Sequence, residues 1–438
     1  MPILIVVIGV VVLLLLIAGL RLHAFIAFVV VALGIGVAEG MNWTDTIAAV
    51  QEGIGGTLGY LLLILGFGSM LGTLVASSGA ALVITHFLTQ AFGPKNLQWA
   101  LMLTGFIVGI PMFYTVGFIV LVPLVFVMAQ QTKLPLIYVG LPMLAALSVT
   151  HGYLPPHPAP TALVHDFGAD LGLTLLYGLI VAIPAIILAG PIYSRSLKDL
   201  KPEPRSDLFQ TQHSNPDQLP GVGISLWSAL LPVLLIGLST LIELGSSKEN
   251  FLTQFFGFIG HPVIAMLLSV LLALYTLGLR RGKALKDLNA ELNQSIKNIA
   301  PILLIIAGAG ALKAVLSQSG VSDYLAEALI KLNVSPLVLA WGMAALIRVC
   351  VGSATVAGLT TAGIILPLVQ SSGASPELMV LATGAGSLMF SHVNDTGFWL
   401  FKEYFNLSIK DTLRSWSVME TIVSTVGLMG VLMLDFLL

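Results

Sequence analysis

Charged side chains are scarce in this sequence. Its 438 residues include 19 Lys and Arg and 21 Asp and Glu, while 57% of the residues are hydrophobic. In a water-soluble domain, roughly a quarter of all residues are charged, and most of them lie on the surface. The composition therefore excludes an ordinary soluble protein and predicts a chain whose solvent is lipid.

Residue patterns typical of catalysis and metal binding are also missing. The single cysteine, Cys350, excludes an internal disulfide and most thiolate metal sites. The sequence has no HExxH, GxSxG or CxxC motif, which argues against the main alternative class, a membrane-embedded enzyme. With a net charge of −2 and no basic patch, we expect no nucleic-acid partner, and we expect neither a cofactor nor a metal.

Long apolar runs are what the sequence has in place of charge. They are continuous stretches of Leu, Ile, Val, Ala and Gly, which predict membrane-spanning helices of about 20 residues rather than the alternating strands of a barrel. The run at 2–20 has no small-residue cleavage site, so we expect a retained helix and not a signal peptide. The twelve runs lie at 2–20, 24–40, 57–78, 98–129, 135–150, 172–194, 224–244, 262–279, 299–317, 335–350, 378–391 and 416–436.

The sequence nearly repeats itself once. The stretch LLLILGFGSMLG resembles the later stretch ILLIIAGAGALK. Pro135 and His151 correspond to Pro376 and His392, and both matches have an offset of 241 residues (376−135 and 392−151). A polar segment lies between the two copies. We therefore predict three parts: a first membrane repeat at 1–195, a cytoplasmic linker at 196–223 and a second membrane repeat at 224–438.

Charges near the membrane boundaries predict how the repeats are oriented. The loops at 195–205 and 280–297 are rich in Lys and Arg, whereas 40–52 has only acidic charges. Cytoplasmic loops collect basic residues, so 40–52 and its counterpart 280–297 should face opposite sides. This predicts inverted-topology repeats with the substrate near the midplane between broken helices. Both termini would lie on the periplasmic or extracellular side of an inner (plasma) membrane.

Helix breakers and polar residues intrude into four apolar regions, at 109–118, 148–162, 348–363 and 391–405. Such irregular backbone is tolerated at membrane depth only beside a cavity. Four prolines predict that 148–162 is an unwound segment within the membrane, with a Pro-rich surface loop as the alternative. The mixture of hydroxyl, imidazole and guanidinium groups suits an organic anion better than the carbonyl filter of an ion channel.

The polar side chains of these four regions are the candidate site. Arg348 could bind a carboxylate through paired hydrogen bonds, with a pair to Asp395 or a helix-end position as alternatives. Asp395 is a candidate proton carrier or a helix cap, and His151 and His392 are further proton-coupling candidates. The predicted substrate-binding residues are Ser148, Thr150, His151, Gly152, Tyr114, Thr115, Arg348, Gly352, Ser353, Thr355, His392 and Asn394.

The sequence at these regions resembles the gluconate permease family of proton symporters, within a wider ion transporter superfamily. The resemblance covers essentially the whole chain and implies uptake of gluconate or a related sugar acid with protons. The superfamily implies re-entrant hairpins, a homodimer and elevator-like motion. The motifs that carry the resemblance are GGTLG at 55–59, SVTHGYLPPHPAPTA at 148–162, GSATVA at 352–357, SHVND at 391–395 and GFWLFKEYF at 397–405.

Two positions depart from the family's pattern. The family usually has an acid where Thr115 stands, and a small residue or Pro where Thr396 stands. The proton would then be carried by Asp395 or a histidine, or transport would be passive. The substrate stays open between gluconate, another aldonate, a keto-sugar acid, glycerate and a small hydroxy amino acid such as D-serine.

Overall fold

The structure is a computed structural model that describes residues 2–200, 202, 219–245, 251–321, 324 and 334–438. Within these ranges the regular secondary structure is entirely helical and includes nineteen α-helices, which confirms the predicted all-α fold. The first half contains α1 Pro2–Leu14, α2 Ala24–Ala38, α3 Trp43–Ser77, α4 Ala80–Phe92, α5 Leu97–Gly109, α6 Tyr114–Thr132, α7 Leu136–Tyr153, α8 Pro158–Phe167 and α9 Leu171–Ile187. The second half contains α10 Val222–Gly245, α11 Phe251–Gly260, α12 Pro262–Ala273, α13 Leu285–Gln318, α14 Pro336–Val351, α15 Ala354–Ser372, α16 Pro376–Gly386, α17 Thr396–Tyr404, α18 Ile409–Thr412 and α19 Val418–Leu437.

Ten helical stretches in the described ranges are long and apolar enough to cross a bilayer, which confirms a multi-pass membrane protein. Most of them coincide with the apolar runs of the sequence. Ala354–Ser372 is an exception: its Gly, Ser and Thr residues interrupt the apolar sequence, so this candidate span is not among the twelve predicted runs. The predicted run at 24–40 forms a helix of only 15 residues, which is short for a bilayer crossing.

The two longest helices, α3 and α13, lie side by side and run in opposite directions. Near the start of α3, Glu52 accepts a hydrogen bond from Gln318 at the end of α13, with 2.8 Å between Nε2 and Oε2. At the other end of α3, Ser77 donates to Glu291 near the start of α13, with 2.6 Å between Oγ and Oε2. An early residue of one helix thus meets a late residue of the other, so the pair is antiparallel.

Small residues let α3 and α13 approach closely. A Cβ added to Gly53 would lie 2.3 Å from the carbonyl oxygen of Gly310, and Gly310 in turn packs on Thr57. Further along, the hydroxyl of Ser69 donates to the carbonyl of Ser295 at 2.9 Å. Close packing of this kind is what holds helices together in lipid, where burial of apolar surface supplies little driving force.

Helices of the second half begin at a nearly constant number of residues after the corresponding helices of the first half. Trp43 and Leu285 start α3 and α13 and are 242 residues apart (285−43). The starts of α6 and α15 are 240 apart (354−114), as are those of α7 and α16 (376−136). These separations lie within one residue of the offset of 241 found in the sequence.

The prediction that 148–162 is an unwound segment holds only for its centre and is wrong about its extent. Helix α7 continues to Tyr153 and α8 begins at Pro158, so only 154–157 are non-helical. Pro158 occupies the first helical position, where its missing N–H would have no intrahelical partner and its fixed φ suits the helix. Prolines therefore start α8 here, although their number in the sequence indicated a longer break.

The other three regions break over stretches of different length. Residues 110–113 separate α5 from α6, and 387–395 separate α16 from α17. The region 348–363 breaks only at Gly352 and Ser353, between α14 and α15. Gly352 has φ +80°, and a Cβ there would lie 2.2 Å from the carbonyl oxygen of Asn394. Both the left-handed backbone and the close approach require glycine at this tip.

The prediction of a basic loop at 280–297 is also wrong. Helix α13 begins at Leu285, so Lys286 and Lys297 lie on a long helix, and only Arg280, Arg281 and Lys283 precede it. Likewise α3 begins at Trp43, within the predicted acidic loop at 40–52. Of the predicted linker at 196–223, residues 201 and 203–218 lie outside the described residues, as does part of the basic loop at 195–205.

Candidate functional site

One cavity of about 270 Å³ lies where three of the four helix breaks meet. The breaks at 110–113, 352–353 and 387–395 contribute to its lining, together with side chains from α7, α14 and α19. The fourth break, 154–157, lies outside, and Nε2 of its His157 is 2.9 Å from the Gly109 carbonyl oxygen. The predicted site residues that line the cavity are Tyr114, Thr115, Ser148, His151, Arg348, Gly352, Ser353, Thr355, Asn394 and Asp395.

Two predicted residues of α7 do not line this cavity. Thr150 is fully buried, and its hydroxyl donates to the carbonyl of Leu147 at 2.9 Å. Gly152 packs against Leu388, whose side chain would lie 2.4 Å from an added Cβ. Both residues therefore serve the packing of α7 rather than the cavity wall.

His392 is the third predicted residue outside the cavity lining. Its Nε2 lies 2.9 Å from the carbonyl oxygen of Val349, near the end of α14. The side-chain amide of Asn394 donates to the same oxygen at 2.8 Å. The two side chains satisfy a carbonyl that α14 leaves without a helical partner, which fixes the 387–395 break against the α14–α15 tip.

Three helix N-termini face the cavity. Tyr114 and Thr115 start α6, Ala354 and Thr355 start α15, and Thr396 starts α17. The first turn of α6 has no side-chain cap, whereas Ser353 caps α15 and Asp395 caps α17. Free backbone N–H groups and the positive end of the helix dipole both favour an anion at such positions.

Arg348 and Asp395 form an ion pair in the cavity wall. The distance between Nη2 and Oδ2 is 2.5 Å, and the side chains are 4% and 17% exposed. Arg348 also donates to the Gly352 carbonyl, and Asp395 accepts from the hydroxyl of Ser391. The pairing and capping alternatives raised by the sequence are thus both present. Nε of Arg348 has no hydrogen-bond partner among the described residues.

Three polar residues of the cavity were not among the predicted site residues: Thr396 at the start of α17, and Trp416 and Glu420 near the start of the last helix. Glu420 is 1% exposed, and its Oε1 accepts a hydrogen bond from Ser148 at 2.6 Å. Trp416 donates from Nε1 to the Ser391 hydroxyl at 2.7 Å, and its ring lies 5.8 Å from that of Tyr114. The available signal was an acid inside the apolar run 416–436.

Metal binding has no candidate in the part of the chain that the structure describes. No group of three or more His, Cys, Asp or Glu side chains there could hold a metal ion. The cavity presents hydrogen-bond donors, helix N-termini, one guanidinium, one imidazole and two carboxyls.

Comparison with known proteins gives matches over the full length. A family model described as GntP family permease matches residues 1–437. The high-affinity gluconate transporter of Escherichia coli (strain K12) is 50% identical over 439 residues, covering 100% of both chains. The Gnt-II system L-idonate transporter of the same strain is 48% identical, again over 100% of both chains. The gluconate permease of Bacillus subtilis (strain 168) is 43% identical over 99% of both.

Two solved transporter structures share the fold. The YdaH transporter of Alcanivorax borkumensis has a TM-score of 0.65 at 17% identity, covering 94% of this chain and 97% of that chain. MtrF of Neisseria gonorrhoeae, described as illuminating a class of antimetabolite efflux pumps, has a TM-score of 0.61 at 16% identity, covering 94% and 93%. At such identities the likeness concerns the fold alone.

Proposed function

Because this chain belongs to the GntP permease family, whose members are transporters and not enzymes, we propose that it carries gluconate or a closely related sugar acid across the inner membrane. The resemblance found in the motifs is confirmed by the full-length match. The observation that carries the proposal is the cavity, where three helix N-termini and Arg348 surround a set of hydroxyl and amide groups.

The shape and chemistry of the cavity suit a small polyhydroxy acid. Its volume of about 270 Å³ is just below the roughly 300–1,000 Å³ of sites for drug-sized ligands, which favours a six-carbon acid over anything larger. We assign the carboxylate to the uncapped start of α6 and to Arg348. Ser353, Thr355 and Asn394 then offer hydrogen bonds to the hydroxyl groups of the chain.

Two observations support inverted-topology repeats. The helices α3 and α13 begin 242 residues apart (285−43) and yet run antiparallel in the fold. Lys286 in the first turn of α13, and Lys283 just before it, therefore lie at the opposite end of this helix pair from Asp45 and Glu52 of α3. We assign the basic end to the cytoplasm and both termini to the periplasmic or extracellular side. Labelling of single cysteines at positions 45 and 286 with an impermeant reagent tests this, since only position 45 should react in intact cells.

Three further parts of the proposal remain. The homodimer and the elevator-like motion rest on the family resemblance. The division into repeats at 1–195 and 224–438, joined by a cytoplasmic linker at 196–223, rests on the near-repeat in the sequence and the polar segment between its two copies. Mass measurement of the purified protein in detergent tests the dimer. If protein that still transports after reconstitution has the mass of one subunit in detergent, the proposed dimer is contradicted.

Proton symport is the coupling that we propose. Its candidates from the sequence are Asp395, His151 and His392. Asp395 and His151 border the cavity and so lie within reach of a bound anion, whereas His392 is engaged with the Val349 carbonyl. A carboxyl or imidazole that gains a proton when an anion binds would couple the two fluxes.

The test is uptake of labelled gluconate into proteoliposomes with and without an inward proton gradient. We expect saturable uptake, accumulation against the substrate gradient only when the proton gradient is present, and counterflow without it. Competition by L-idonate, a keto-gluconate, glycerate and D-serine ranks the substrates. Uptake that neither saturates nor shows counterflow would indicate a channel, and absence of gluconate transport would contradict the proposed substrate.

A further inference from the structure

Glu420 is an acid of the cavity that has no cationic partner in the described part of the chain. Its side chain is buried, Oε1 accepts one hydrogen bond from Ser148, and Oε2 has no hydrogen-bond partner among the described residues. The ion pairs that these residues form do not include it. A buried, ionised carboxylate needs a cation or several donors, and Glu420 has a single hydroxyl.

Asp395 is placed differently, although it borders the same cavity. Its carboxylate pairs with Arg348 at 2.5 Å and accepts hydrogen bonds from the Ser391 hydroxyl and from the backbone N–H of Gly397, the latter at 3.0 Å. A cation and two donors satisfy its ionised form. Protonation of Asp395 would remove this compensation and leave Arg348 as an excess positive charge.

The charges in the cavity make the proton and the substrate mutually dependent. Arg348 and Asp395 sum to zero, so a substrate carboxylate beside an ionised Glu420 places two uncompensated negative charges in one small cavity. Their repulsion is stronger there than in bulk water, because Glu420 is buried in the protein. A proton on Glu420 removes it, so anion and proton each favour the binding of the other.

Among the described residues, the other titratable groups around Glu420 add no permanent positive charge beyond that of the ion pair. Arg414, in the segment before α19, is exposed and pairs with Asp199 at 2.7 Å. Helix α9 carries only Tyr177 and α16 only Glu377, whose Oε1 accepts from the N–H of Asp170. The groups that face Glu420 are Tyr153 and His151 from α7, Tyr114 from α6, Arg348 from α14 and Asp395 from the break before α17.

We infer that Glu420 is the proton site of this carrier, and that one proton binds it together with one sugar-acid anion in the same cavity. The inference rests on the proposed function and gives Glu420 the role that the sequence assigned to Asp395. Ser148 of the first half and Glu420 of the second both line the cavity, so substrate binding and proton binding occur between the same helices.

Proton uptake on binding is the direct measurement. Gluconate is titrated calorimetrically into the purified full-length carrier, in two buffers of unlike protonation enthalpy and at a series of pH values. At pH values where Glu420 of the free carrier is ionised, we expect the wild type to take up about one proton per gluconate bound, with affinity that falls as pH rises. At lower pH, where Glu420 already holds its proton, proton uptake should approach zero and the affinity should become independent of pH. Glu420→Gln mimics the protonated side chain, so it should bind gluconate with almost no proton uptake and a flat pH profile. In proteoliposomes it should lose accumulation driven by a proton gradient while counterflow stays measurable.

One variant serves as a matched control, and a second tests the competing assignment of the proton to Asp395. Glu52→Gln makes the same chemical change at an exposed residue of α3 outside the cavity and should behave as the wild type. Asp395→Asn leaves Arg348 as an uncompensated positive charge in the cavity wall, so it should shift the pH range of proton uptake, but it should not abolish the uptake, because the proton resides on Glu420. If Glu420→Gln does not insert, Glu420→Asp replaces it: the shortened acid should keep proton uptake but move the midpoint of the pH profile, and an unchanged midpoint would overturn the inference.

The possible failures are distinguishable. A wild type that neither binds nor transports gluconate overturns the proposed function. If the wild type and the Glu420→Gln variant take up the same number of protons with gluconate, the inference about Glu420 is overturned while the proposed function stands. Loss of proton uptake in Asp395→Asn but not in Glu420→Gln would also overturn it and would give the role to Asp395.

Discussion

Replacement of Arg348 by Gln separates direct recognition of the substrate from neutralisation of Asp395. Arg348 is 4% exposed, and Gln is too short to reproduce its bonds to both Asp395 and the Gly352 carbonyl. Loss of a charge-assisted contact to the substrate should cost about 1.5–3 kcal/mol of binding free energy, or roughly 10- to 150-fold in Kd. The free energy of unfolding should also fall, because Asp395 loses its cation.

The size of the stability effect follows from burial. Removing one partner of a buried ion pair typically costs about 3–5 kcal/mol. Because Asp395 remains 17% exposed to the cavity, we expect the lower end of that range. The double variant Arg348→Gln/Asp395→Asn removes both charges and should recover most of the thermal stability, measured as Tm in detergent.

Binding should not recover in the double variant if Arg348 contacts the substrate. We therefore expect Arg348→Gln and the double variant to show similarly weakened gluconate binding, measured calorimetrically at a fixed low pH. Wild-type affinity in the double variant would refute this reasoning, since it would mean that Arg348 serves only to compensate Asp395.

Three further changes test the cavity and its support. Gly352→Ala should reduce uptake at least tenfold, because φ +80° costs an L-residue about 1–2 kcal/mol and the new Cβ would lie 2.2 Å from the Asn394 carbonyl oxygen. The control is Gly363→Ala, whose Cβ meets nothing within 4 Å, and this variant should transport normally. With Cys350 replaced, gluconate should protect single cysteines at positions 115, 353 and 355 from a thiol reagent. A cysteine at the buried position of Thr150 should not react at all. If gluconate protects none of the three cavity positions, the proposed site is contradicted. Lys313→Met should lower Tm, because the carboxylate of Asp166, whose side chain is 4% exposed, loses the ammonium group that lies 2.6 Å from it. The double variant Lys313→Met/Asp166→Asn should restore Tm. An unchanged Tm in the single variant would refute this.

The sequence predicted the presence of the helix breaks better than their extent. Gly352 was recognisable because a glycine between two apolar helical runs usually marks a special backbone conformation. The prolines of 148–162 misled, because proline interrupts a helix in its interior and starts one at its first position. Only the positions of the flanking helices decide between the two effects, and those depend on tertiary packing.

Which side chains line the cavity depends on rotation about a helix axis. Ser148 and Thr150 are both hydroxyl residues of α7, but two residues turn the helix by about 200°, so they point to opposite sides. Ser148 lines the cavity and Thr150 packs behind it. His151, three residues from Ser148, shares its face. Glu420 escaped prediction because its partner, Ser148, lies 272 residues away in the sequence.

The contact between α3 and α13 has a consequence for how the protein is made. Helix α3 begins 242 residues before α13 (285−43), so it leaves the ribosome well before its partner exists. Until then the surface around Gly53 and Thr57, which approaches Gly310 in the finished fold, has no α13 to pack against. During synthesis at about 5–20 residues per second this delay lasts on the order of 10–50 s. In that interval the small-residue surface of α3 faces lipid or the insertion machinery, and association of α13 with it is a late step of biogenesis.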